Sequence, residues 1–464
     1  MWAVLDANSY FCSVEKVFHP GLRGKPVVVL SSNDGIIVAL TPEAKALGLN
    51  RGDPIFKVRG IVERNAVHVF STNMVLYAAM SKRVQNIIRQ SFDYCESYSI
   101  DEMFADLSGF IPEPDPLSRP VSTSASDPTL SHGPGLPWTH GSSSDPTLSH
   151  RAIRPAVDIE EYMRGLVHKI GLWTDIPVSV GVASSKTLAK LGSRFAKNYP
   201  GYRSVCVIDT EAKRRKALEL SDLSDIWGIG RRTYAKLLSL GVRTPLEFAD
   251  KPGEWVHRHF TKPGIQTWKE LNGYPCVDTS EILRHQSITT SRSFGNMISS
   301  IDQVKASVAS FSASCAGKLR GQGSTAGSVT VFLCSNSFRE DLPQYFNMAS
   351  YSFPVATADT LEITCAAMAI VDKIFLPGVQ YKKSGVILGD IENGGVQQDL
   401  FDPVQKRDER LGLSRTIDML NHKFGLKTVK LAVEGTGGED WRTKSMYRSP
   451  DYLTMLDDIL TINV

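Results

Sequence analysis

The sequence predicts a multidomain protein of mixed α and β structure, and three observations indicate this fold class. Strand-like and helix-like segments alternate up to about residue 210, which is typical of an α/β or α+β domain. Residues 213–272 show helical periodicity alone, and a second strand–helix–strand pattern covers residues 288–389. The chain has 464 residues, which is too long for one compact core and favours two to four domains.

The first 210 or so residues contain the elements of the predicted α/β or α+β domain. Short runs rich in β-branched residues predict buried strands, and apolar residues at helical spacing predict helices. Pro42 and Gly48 mark the two ends of a short helix. The predicted strands are 2–5, 26–30, 36–40, 98–107 (in two halves), 177–182 and 205–208; the predicted helices are 14–18, 42–48, 73–92, 158–172 and 185–197.

Residues 112–156 interrupt this domain with a stretch rich in proline and serine. The motif SDPTLSH occurs twice in it, at 126–132 and 144–150, and apolar periodicity is lost. We therefore predict a disordered insertion. Its histidines, His132, His140 and His150, lie far apart in this segment, so they do not predict a metal site.

The composition excludes several classes of protein. Apolar residues make up 42%, charged residues 22% and the net charge is +3, which is ordinary for a soluble protein. The seven cysteines have no CxxC or zinc spacing, which favours reduced thiols in the cytoplasm. The first residues are unlike a signal peptide, and no apolar run reaches membrane-spanning length. Residues 186–243 hold 13 Lys and Arg against 5 Asp and Glu, which suits either a nucleic-acid surface or a solvated helical face.

Three carboxylates lie within predicted strands, where acids are disfavoured. Asp6 ends the first strand, and Asp101 and Glu102 lie in the middle of 98–107. Buried acids usually have a cation partner, and three converging carboxylates would hold two divalent cations about 3.5–4 Å apart. Such a pair serves in-line displacement at phosphorus, and Mg²⁺ prefers these oxygen ligands. The alternative is that Asp6 caps a turn while the other two acids pair with Lys or Arg.

Several motifs, in order along the chain, resemble those of Y-family DNA polymerases, and look closest to the bacterial UmuC branch, the catalytic subunit of DNA polymerase V. They are LDANSYFCSVE, LRGKPVVVLSSNDGIIVA, EAKALG, YSIDEMFADL and VSVGVASSKTLAKLGS. The resemblance is dense over 1–111 and 157–245, fails across the insertion and continues thinly to the C-terminus. It implies an error-prone translesion DNA polymerase that acts in DNA damage tolerance and SOS mutagenesis.

The resemblance also implies an α+β right-hand fold with five regions. These are a palm with a mixed sheet at 1–30 and 75–212, small fingers at 31–74, a helical thumb at 213–275, a little finger at 284–391 and a tail at 392–464. The insertion at 112–156 would hang from the palm, since loops tolerate long insertions at modest entropic cost.

The implied metal ligands are the three carboxylates and one backbone group. Asp6 and Asp101 would bind both Mg²⁺ ions, Glu102 would help to hold the ion beside the primer 3′-hydroxyl, and the carbonyl of Ala7 would be an extra ligand. Mn²⁺ would be able to substitute for Mg²⁺.

The implied nucleotide contacts come from the palm and the fingers. Phe11 occupies the position of the steric gate, whose ring would clash with a ribose 2′-hydroxyl. Lys186 matches the palm lysine that contacts the triphosphate, and Lys45 matches a basic fingers residue near the same phosphates. A core aromatic is the alternative for Phe11. The neighbouring Tyr10 is a further candidate at the nucleotide, although a core position is favoured for it.

Three fingers positions depart from the pattern of many family members. Pro42 stands where a tyrosine commonly precedes Glu43, and Ala39 stands where others have threonine. Leu40 is apolar where UmuC-like chains tend to have a basic residue. The changes at Pro42 and Ala39 fit the UmuC branch, which also lacks these hydroxyl groups, and they leave the hydroxyl contacts of the triphosphate unassigned. The change at Leu40 would weaken nucleotide binding.

The DNA contacts are predicted from a Gly-x-Gly turn and from basic residues. Gly228 and Gly230 precede a basic helix, as in a helix–hairpin–helix whose backbone amides approach a phosphate, with Arg231 and Arg232 adding charge. An ordinary helix turn is the alternative. Arg284, Arg292, Lys382 and Lys383 are the predicted phosphate contacts of the little finger.

The tail contains QQDLF, which resembles the pentapeptide that binds the bacterial sliding clamp. Gln397, Leu400 and Phe401 match it, and Gln398 replaces a usual leucine. Primer-template DNA and dNTPs are the implied substrates. A UmuD-type subunit and a RecA filament are further implied partners, in the cytoplasm and at the nucleoid.

Two other functions fit parts of the pattern. A nucleotidyl cyclase shares a palm-like fold and metal carboxylates, although the thumb-like turn and the clamp-like motif argue against it. A scaffold that binds DNA and clamp without catalysis is the other, favoured by Leu40, Pro42 and the insertion but opposed by the intact carboxylates.

Overall fold

The structure, a computed structural model, describes residues 1–109, 158–279, 286–393, 406–425, 427–435, 441 and 443–460. The predicted insertion, Arg284 and the QQDLF motif lie outside these residues. The chain divides into two compact units, the first made of Met1–Arg23, Asn73–Ser280 and Pro450–Val464, and the second of Gly24–Thr72 and Glu281–Ser449. Within the ranges that the structure describes, none of the helices combines the length and apolarity needed to span a bilayer.

The elements predicted for the first 210 or so residues occur in the predicted order, but the helix Ile55–Arg64 and the strand His68–Ser71 have no counterpart in the prediction. The strands are β1 Trp2–Ala7, β2 Val27–Leu30, β3 Ile37–Leu40, β4 His68–Ser71, β5 Cys95–Ser97, β6 Glu102–Asp106, β7 Val178–Ala183, β8 Val205–Ile208, β9 Ile288–Ile298, β10 Ser324–Cys334, β11 Phe346–Thr357 and β12 Tyr381–Asn393. The α-helices are α1 Tyr10–Phe18, α2 Pro42–Ala46, α3 Ile55–Arg64, α4 Met74–Arg89, α5 Ile159–Thr174, α6 Lys186–Asn198, α7 Glu211–Glu219, α8 Arg231–Ser239, α9 Pro245–Ala249, α10 Gly253–His259, α11 Lys262–Leu271, α12 Ile301–Gly321, α13 Thr360–Ile374 and α14 Arg407–Phe424.

The first unit is built on a mixed sheet with strand order β5-β6-β1-β7-β8. β1 pairs antiparallel with β6 and β7, and this register sets Asp6 opposite Glu102 on one side and Ser179 on the other. Helix α6 lies very close to β7, because a Cβ on Gly181 would fall only 2.0 Å from the carbonyl oxygen of Ala189. Glycine at this position therefore brings the basic helix α6 down onto the sheet that carries the acids.

Asp101 lies in a turn and not inside a strand, which corrects the prediction of two strand halves around it. The strand before it ends at Ser97, and the backbone amides of Tyr98 and Ser99 both donate to the carbonyl oxygen of Glu102. The Ser99 hydroxyl donates to Asp101 Oδ1 at 2.5 Å. The backbone amide of Asp101 donates to the Ser99 hydroxyl at 3.3 Å, which offers this amide an alternative to the sheet ladder just before Glu102.

In the second unit, a three-stranded sheet of order β3-β2-β4 lies mostly within the segment that is predicted to be the fingers. β2 belongs to this sheet, pairing antiparallel with β3 and parallel with β4, whereas the predicted boundary at residue 30 assigned it to the palm. Its four residues are buried, so the apolar run predicts a strand but not which sheet contains it.

The same unit contains a four-stranded sheet of order β11-β10-β12-β9, which packs against α12 and α13 around one apolar core. Trp441 belongs to that core and meets the ring of Phe311 edge to face at 5.8 Å. Helix α14 is joined to these helices by buried or half-buried ion pairs. They are Arg320–Asp418, Arg407–Glu362 and Arg410–Asp359.

The chain near residue 446 runs alongside the fingers sheet. The amide of Met446 donates to Asp34 Oδ2 at 2.8 Å, and the amide of Tyr447 donates to the Ser71 hydroxyl at 2.9 Å. In the first unit, the ring of Tyr452 stacks on that of Phe18 at 4.8 Å. The last part of the chain is therefore packed against residues far from it in sequence in both units.

Helices α7–α11, in the segment predicted to be the thumb, share one apolar core with the sheet and helix α6 of the first unit, and the carboxylate of Glu270 is buried there. Glu270 Oε2 accepts from the amide of Thr187, in the first turn of α6, at 2.9 Å. Its other oxygen accepts from the amides of Cys276 and Val277 at 2.7 and 3.1 Å. An anion at a helix N-terminus is also favoured by the helix dipole.

We expect Glu270→Ala to lower the free energy of unfolding by about 2–4 kcal/mol, because buried amides lose a charged acceptor. Urea denaturation followed by circular dichroism would measure this. Glu254→Ala removes an exposed acid of the same thumb and is the matched control. Equal urea midpoints for Glu270→Ala and Glu254→Ala would contradict the stabilising role of Glu270.

Candidate active site

The carboxylates of Asp6 and Glu102 lie side by side on paired strands, and Asp101 lies next to both. The amide of Ala7 donates to the carbonyl oxygen of Asp101 at 2.9 Å, which ties the turn to the end of β1. In the parts of the chain that the structure describes, no three His, Cys, Asp or Glu side chains are gathered as a metal-binding group. Lysines lie against two of these acids, Asp6 and Glu102.

Helix α6 presents two lysines to the acids. Lys190 Nζ lies 2.9 Å from Glu102 Oε2, and Lys197 Nζ lies 3.7 Å from Asp6 Oδ1. Lys197 is the more exposed of the two, at 37% against 22%. The sequence pattern singles out neither residue, although both lie on the same helix as the predicted Lys186, four and eleven residues after it.

Burial raises the pKa of both Asp6 and Glu102 above that of an ordinary carboxyl group. The neighbouring charge of Asp101 raises both pKa values further, whereas Lys197 and Lys190 lower that of Asp6 and Lys190 lowers that of Glu102. A partly desolvated site that contains three acids therefore favours the binding of additional positive charge.

These groups supply hard oxygen donors, which suit Mg²⁺. The carboxylates of Asp6, Asp101 and Glu102, with the carbonyl of Ala7, are the donors that fit the implied ions. The half-buried setting of the three acids leaves them accessible to small cations and phosphates.

Lys186 lies elsewhere than predicted, in the interior of the first unit. Its side chain is 2% exposed, and its ammonium lies 2.6 Å from Glu96 Oε2. It also donates to the Thr279 hydroxyl at 3.0 Å and lies 4.2 Å from the ring centroid of Trp2. This setting satisfies the ammonium inside the protein, which does not fit a contact with a triphosphate.

The two aromatic residues at the start of α1, Tyr10 and Phe11, differ in burial. Tyr10 is buried and donates to the backbone oxygen of Tyr77 at 2.6 Å, which is the core setting weighed for it from sequence. Phe11 is half-buried, and its ring stacks on Tyr77 at 4.6 Å with an angle of 16°. Tyr77 in turn donates to the buried Glu15 at 2.6 Å, so the surface under Phe11 is fixed.

The predicted fingers residues lie at the end of strand β3, which contains Ala39 and Leu40, and in the short helix α2, which contains Pro42 and Lys45. Thr41 is buried and caps α2 by accepting from the amide of Ala44 at 3.4 Å. Pro42 occupies the first helical turn, where its missing N–H costs nothing. Lys45 is exposed on the same helix.

The predicted DNA-binding turn has the geometry of a tight hairpin before a helix. Gly228 has φ +96°, and a Cβ there would lie 2.3 Å from Thr267 Oγ1, so only glycine fits. Gly230 is the N-cap of α8, and Arg231 and Arg232 are exposed in its first turn. The amides of this helix N-terminus therefore face outwards among positive charges.

The basic residues predicted in the little finger differ in exposure. Arg292 is exposed on β9. Lys382 is half-buried and donates to the carbonyl oxygen of Phe294 at 2.5 Å, and burial lowers its pKa. Lys383 is half-buried and lies 5.5 Å from the ring centroid of Phe332.

Comparison with known protein families matches most of the chain. The impB/mucB/samB family matches residues 5–194, and the impB/mucB/samB family C-terminal domain matches residues 285–400. Residues 412–462 match a domain of unknown function, DUF4113.

Similar proteins extend over nearly the whole chain. It is 34% identical to Protein ImpB of Salmonella typhimurium over 99% of both chains, and 33% identical to Protein UmuC of Salmonella typhimurium over 100% of both. It is 26% identical to DNA polymerase IV of Moorella thermoacetica over 93% of this chain and 95% of that one.

Among solved structures, the fold is similar to a Y-family DNA polymerase chimera, Dbh-Dpo4(243-245)-Dbh. The TM-score is 0.59 at 19% identity, over 85% of this chain and 100% of that one. This similarity confirms the predicted α+β multidomain fold of the right-hand type.

Proposed function

The chain belongs to the impB/mucB/samB family, which UmuC and MucB represent among its relatives, and we propose that it is an error-prone translesion DNA polymerase. It would transfer dNMP from a dNTP to a primer 3′-hydroxyl, in DNA damage tolerance of the SOS mutagenesis type. The observation that carries the proposal is the group of three acids on adjacent palm elements, with Asp6 opposite Glu102 and Ala7 bonded to Asp101.

Asp6, Asp101, Glu102 and the carbonyl of Ala7 are the groups that would hold two Mg²⁺ ions, or Mn²⁺ in their place. Such ions, when bound, lower the pKa of the attacking hydroxyl and neutralise the leaving pyrophosphate. The protein contributes fixed acids in a partly desolvated site, where electrostatic interactions are stronger than in water.

Selection of the sugar is assigned to Phe11. Its ring is held by stacking on Tyr77, which is itself held by Glu15. A ring fixed in this way would exclude a ribose 2′-hydroxyl by steric clash. Tyr10 would support the start of α1 from the core, as its bond to the Tyr77 backbone indicates.

Contact with the triphosphate is reassigned from Lys186 to Lys197. Lys197 lies at the acids and is 37% exposed, whereas Lys186 is 2% exposed in its ion pair. A polyphosphate beside Asp6 would be within reach of the Lys197 ammonium. Lys45, exposed on α2, remains the proposed fingers contact.

We expect Lys197→Ala to lower kcat/KM for dNTP by about tenfold to a hundredfold, since a hydrogen bond to a charged group is lost. Steady-state incorporation of one nucleotide would measure this, with most of the effect in KM. Lys213→Ala removes an exposed lysine that pairs with Asp209 and is the matched control. An unchanged KM for Lys197→Ala would contradict the reassignment.

Primer-template DNA would be held by the hairpin at Gly228 and Gly230, whose amides and arginines suit phosphates without reading sequence. Arg292, Lys382 and Lys383, together with Arg284 outside the described residues, are the proposed little-finger contacts. The QQDLF motif, with Gln397, Leu400 and Phe401, is the proposed sliding-clamp contact. A UmuD-type subunit and a RecA filament are proposed partners by analogy with UmuC.

The experiment that tests this function is primer extension by the purified full chain with Mg²⁺ and dNTPs, on undamaged and abasic templates. A parallel reaction would contain a UmuD-type subunit and activated RecA. Extension past the lesion is the expected result. No extension in either reaction, with primer-template binding intact, would favour the scaffold, and cyclic nucleotide formation would favour the cyclase.

A further inference from the structure

The carboxylate of Glu102 is held by a lysine that lies between two aromatic rings. Lys190 Nζ is 2.9 Å from Glu102 Oε2, 4.4 Å from the ring centroid of Tyr98 and 4.9 Å from that of Trp227. A cation over an aromatic face is attracted by the ring quadrupole, and more strongly where water is partly excluded. The side chain of Lys190 is 22% exposed, so one ammonium joins a carboxylate to two rings in a partly dry setting.

The two rings are fixed to each other and to the sheet. Trp227 Nε1 donates to Tyr98 Oη at 3.2 Å, and the rings meet edge to face at 5.4 Å. The ring of Phe104 packs against both, at 5.5 and 5.8 Å. The backbone amide of Tyr98 also donates to the carbonyl oxygen of Glu102 at 3.2 Å. The rings and the acid are therefore parts of one connected arrangement.

Trp227 belongs to the thumb hairpin and directly precedes Gly228. The side chains of Ile226 and Ile229 on either side are buried in the core shared by palm and thumb. Gly228 is tightly packed against Thr267. Trp227 lies between these fixed points of the hairpin. A phosphate that displaces the exposed end of the hairpin would therefore displace Trp227 as well.

We propose that Tyr98, Trp227 and Lys190 form a positioning clamp for Glu102, which couples contact between the thumb hairpin and a phosphate backbone to the orientation of this acid. The proposal deepens the polymerase function and rests on it. A lysine that fixes one oxygen of a carboxylate also fixes the direction of the other. Lys190 acts through Glu102, and Trp227 acts through Lys190, so both are positioning residues.

Three variants test the clamp through nucleotide incorporation. Lys190→Met removes the ammonium and Trp227→Leu removes one ring, and we expect each to lower kcat by about fivefold to thirtyfold with the KM for dNTP unchanged. Lys190→Arg keeps the charge and the ring contact, and should recover most of the rate. Lys190→Met should also lower the Mg²⁺ concentration for half-maximal activity, because it removes positive charge beside an acid.

Arg194→Met is the matched control. Arg194 lies one turn further along α6 and pairs with Asp225 of the thumb at 2.5 Å. It therefore tests loss of a contact between α6 and the thumb without loss of the lysine at Glu102. The clamp is overturned if Lys190→Met and Arg194→Met give the same kcat and the same Mg²⁺ dependence.

Tryptophan fluorescence gives a readout that does not depend on activity. Mg²⁺, and separately primer-template DNA without dNTP, should change the emission of the wild-type chain, and part of that change should be absent in Trp227→Phe and in Lys190→Met. Identical responses of all three chains would also overturn the clamp. If the wild-type chain fails to extend primers, the proposed polymerase function fails, whereas these titrations still decide on the clamp.

Discussion

Replacing Asp101 by alanine should lower the rate of primer extension at least about a thousandfold. The reason is that the site loses one of the three acids that are proposed to hold positive charge at the reacting phosphate, an effect of several kcal/mol. Single-turnover incorporation of one dNMP, with enzyme in excess over primer-template, would measure the chemical step. Asp6→Ala should give a loss of the same order, because Asp6 lies in the same group of acids.

Unfolding is not expected to explain this loss. Asp101 is half-buried, and its charge raises the pKa of both Asp6 and Glu102, so its removal relieves repulsion among like charges. Asp106→Asn is the matched control, because Asp106 lies on the same strand β6 as Glu102 and bonds the amide of Ser108. Extension by Asp101→Ala at a rate near that of Asp106→Asn would exclude the proposed role of the acids.

The pairing of Asp6 with Glu102 could be predicted in part from the sequence, because its signals are local. An apolar run precedes Asp6, another follows Glu102, and strands of this kind place successive side chains on opposite faces. The strand pattern does not predict the turn at Asp101, because the Ser99 hydroxyl accepts from the backbone amide of Asp101 and so competes with the sheet. A serine two residues before the acid was the available signal.

The choice among the lysines of α6 could not be made from the sequence. Lys186, Lys190 and Lys197 lie at spacings that bring them to neighbouring parts of one helix face, and a motif match does not tell which of them is buried. The partner that buries Lys186 is Glu96, on a strand 90 residues earlier. Long-range pairs of this kind follow from tertiary packing and leave no local pattern.

Long-range contacts in the sheet of the predicted fingers and in the tail are also not predictable from local sequence patterns. A short run buried on both faces predicts a strand for Val27–Leu30 but does not predict its neighbours. The bond between Met446 and Asp34 joins residues 412 positions apart. The donor in this contact is a backbone amide, which every residue except proline carries, so the side-chain pattern around Met446 does not reveal the contact.

The second large effect is expected from Lys186→Ala, which should lower the free energy of unfolding by about 3–5 kcal/mol because it leaves the Glu96 carboxylate buried without its cation. The two side chains are 2% and 5% exposed, and their charged atoms are 2.6 Å apart. Urea denaturation followed by circular dichroism would measure the change. The double variant Lys186→Met with Glu96→Gln should recover much of the loss, because no unpaired charge remains in the interior.

This experiment also separates the two roles considered for Lys186. A lysine that contacts the triphosphate would raise the KM for dNTP when it is removed and would leave the stability unchanged. A lysine in a buried ion pair would lower the stability when it is removed, and the fraction that stays folded would keep its KM for dNTP. Lys197→Ala should instead raise the KM and leave the stability unchanged, since the Lys197 side chain is 37% exposed at the acids. Normal stability with a raised KM in Lys186→Ala would return the triphosphate contact to Lys186, and it would require the chain around Glu96 to open when a nucleotide binds.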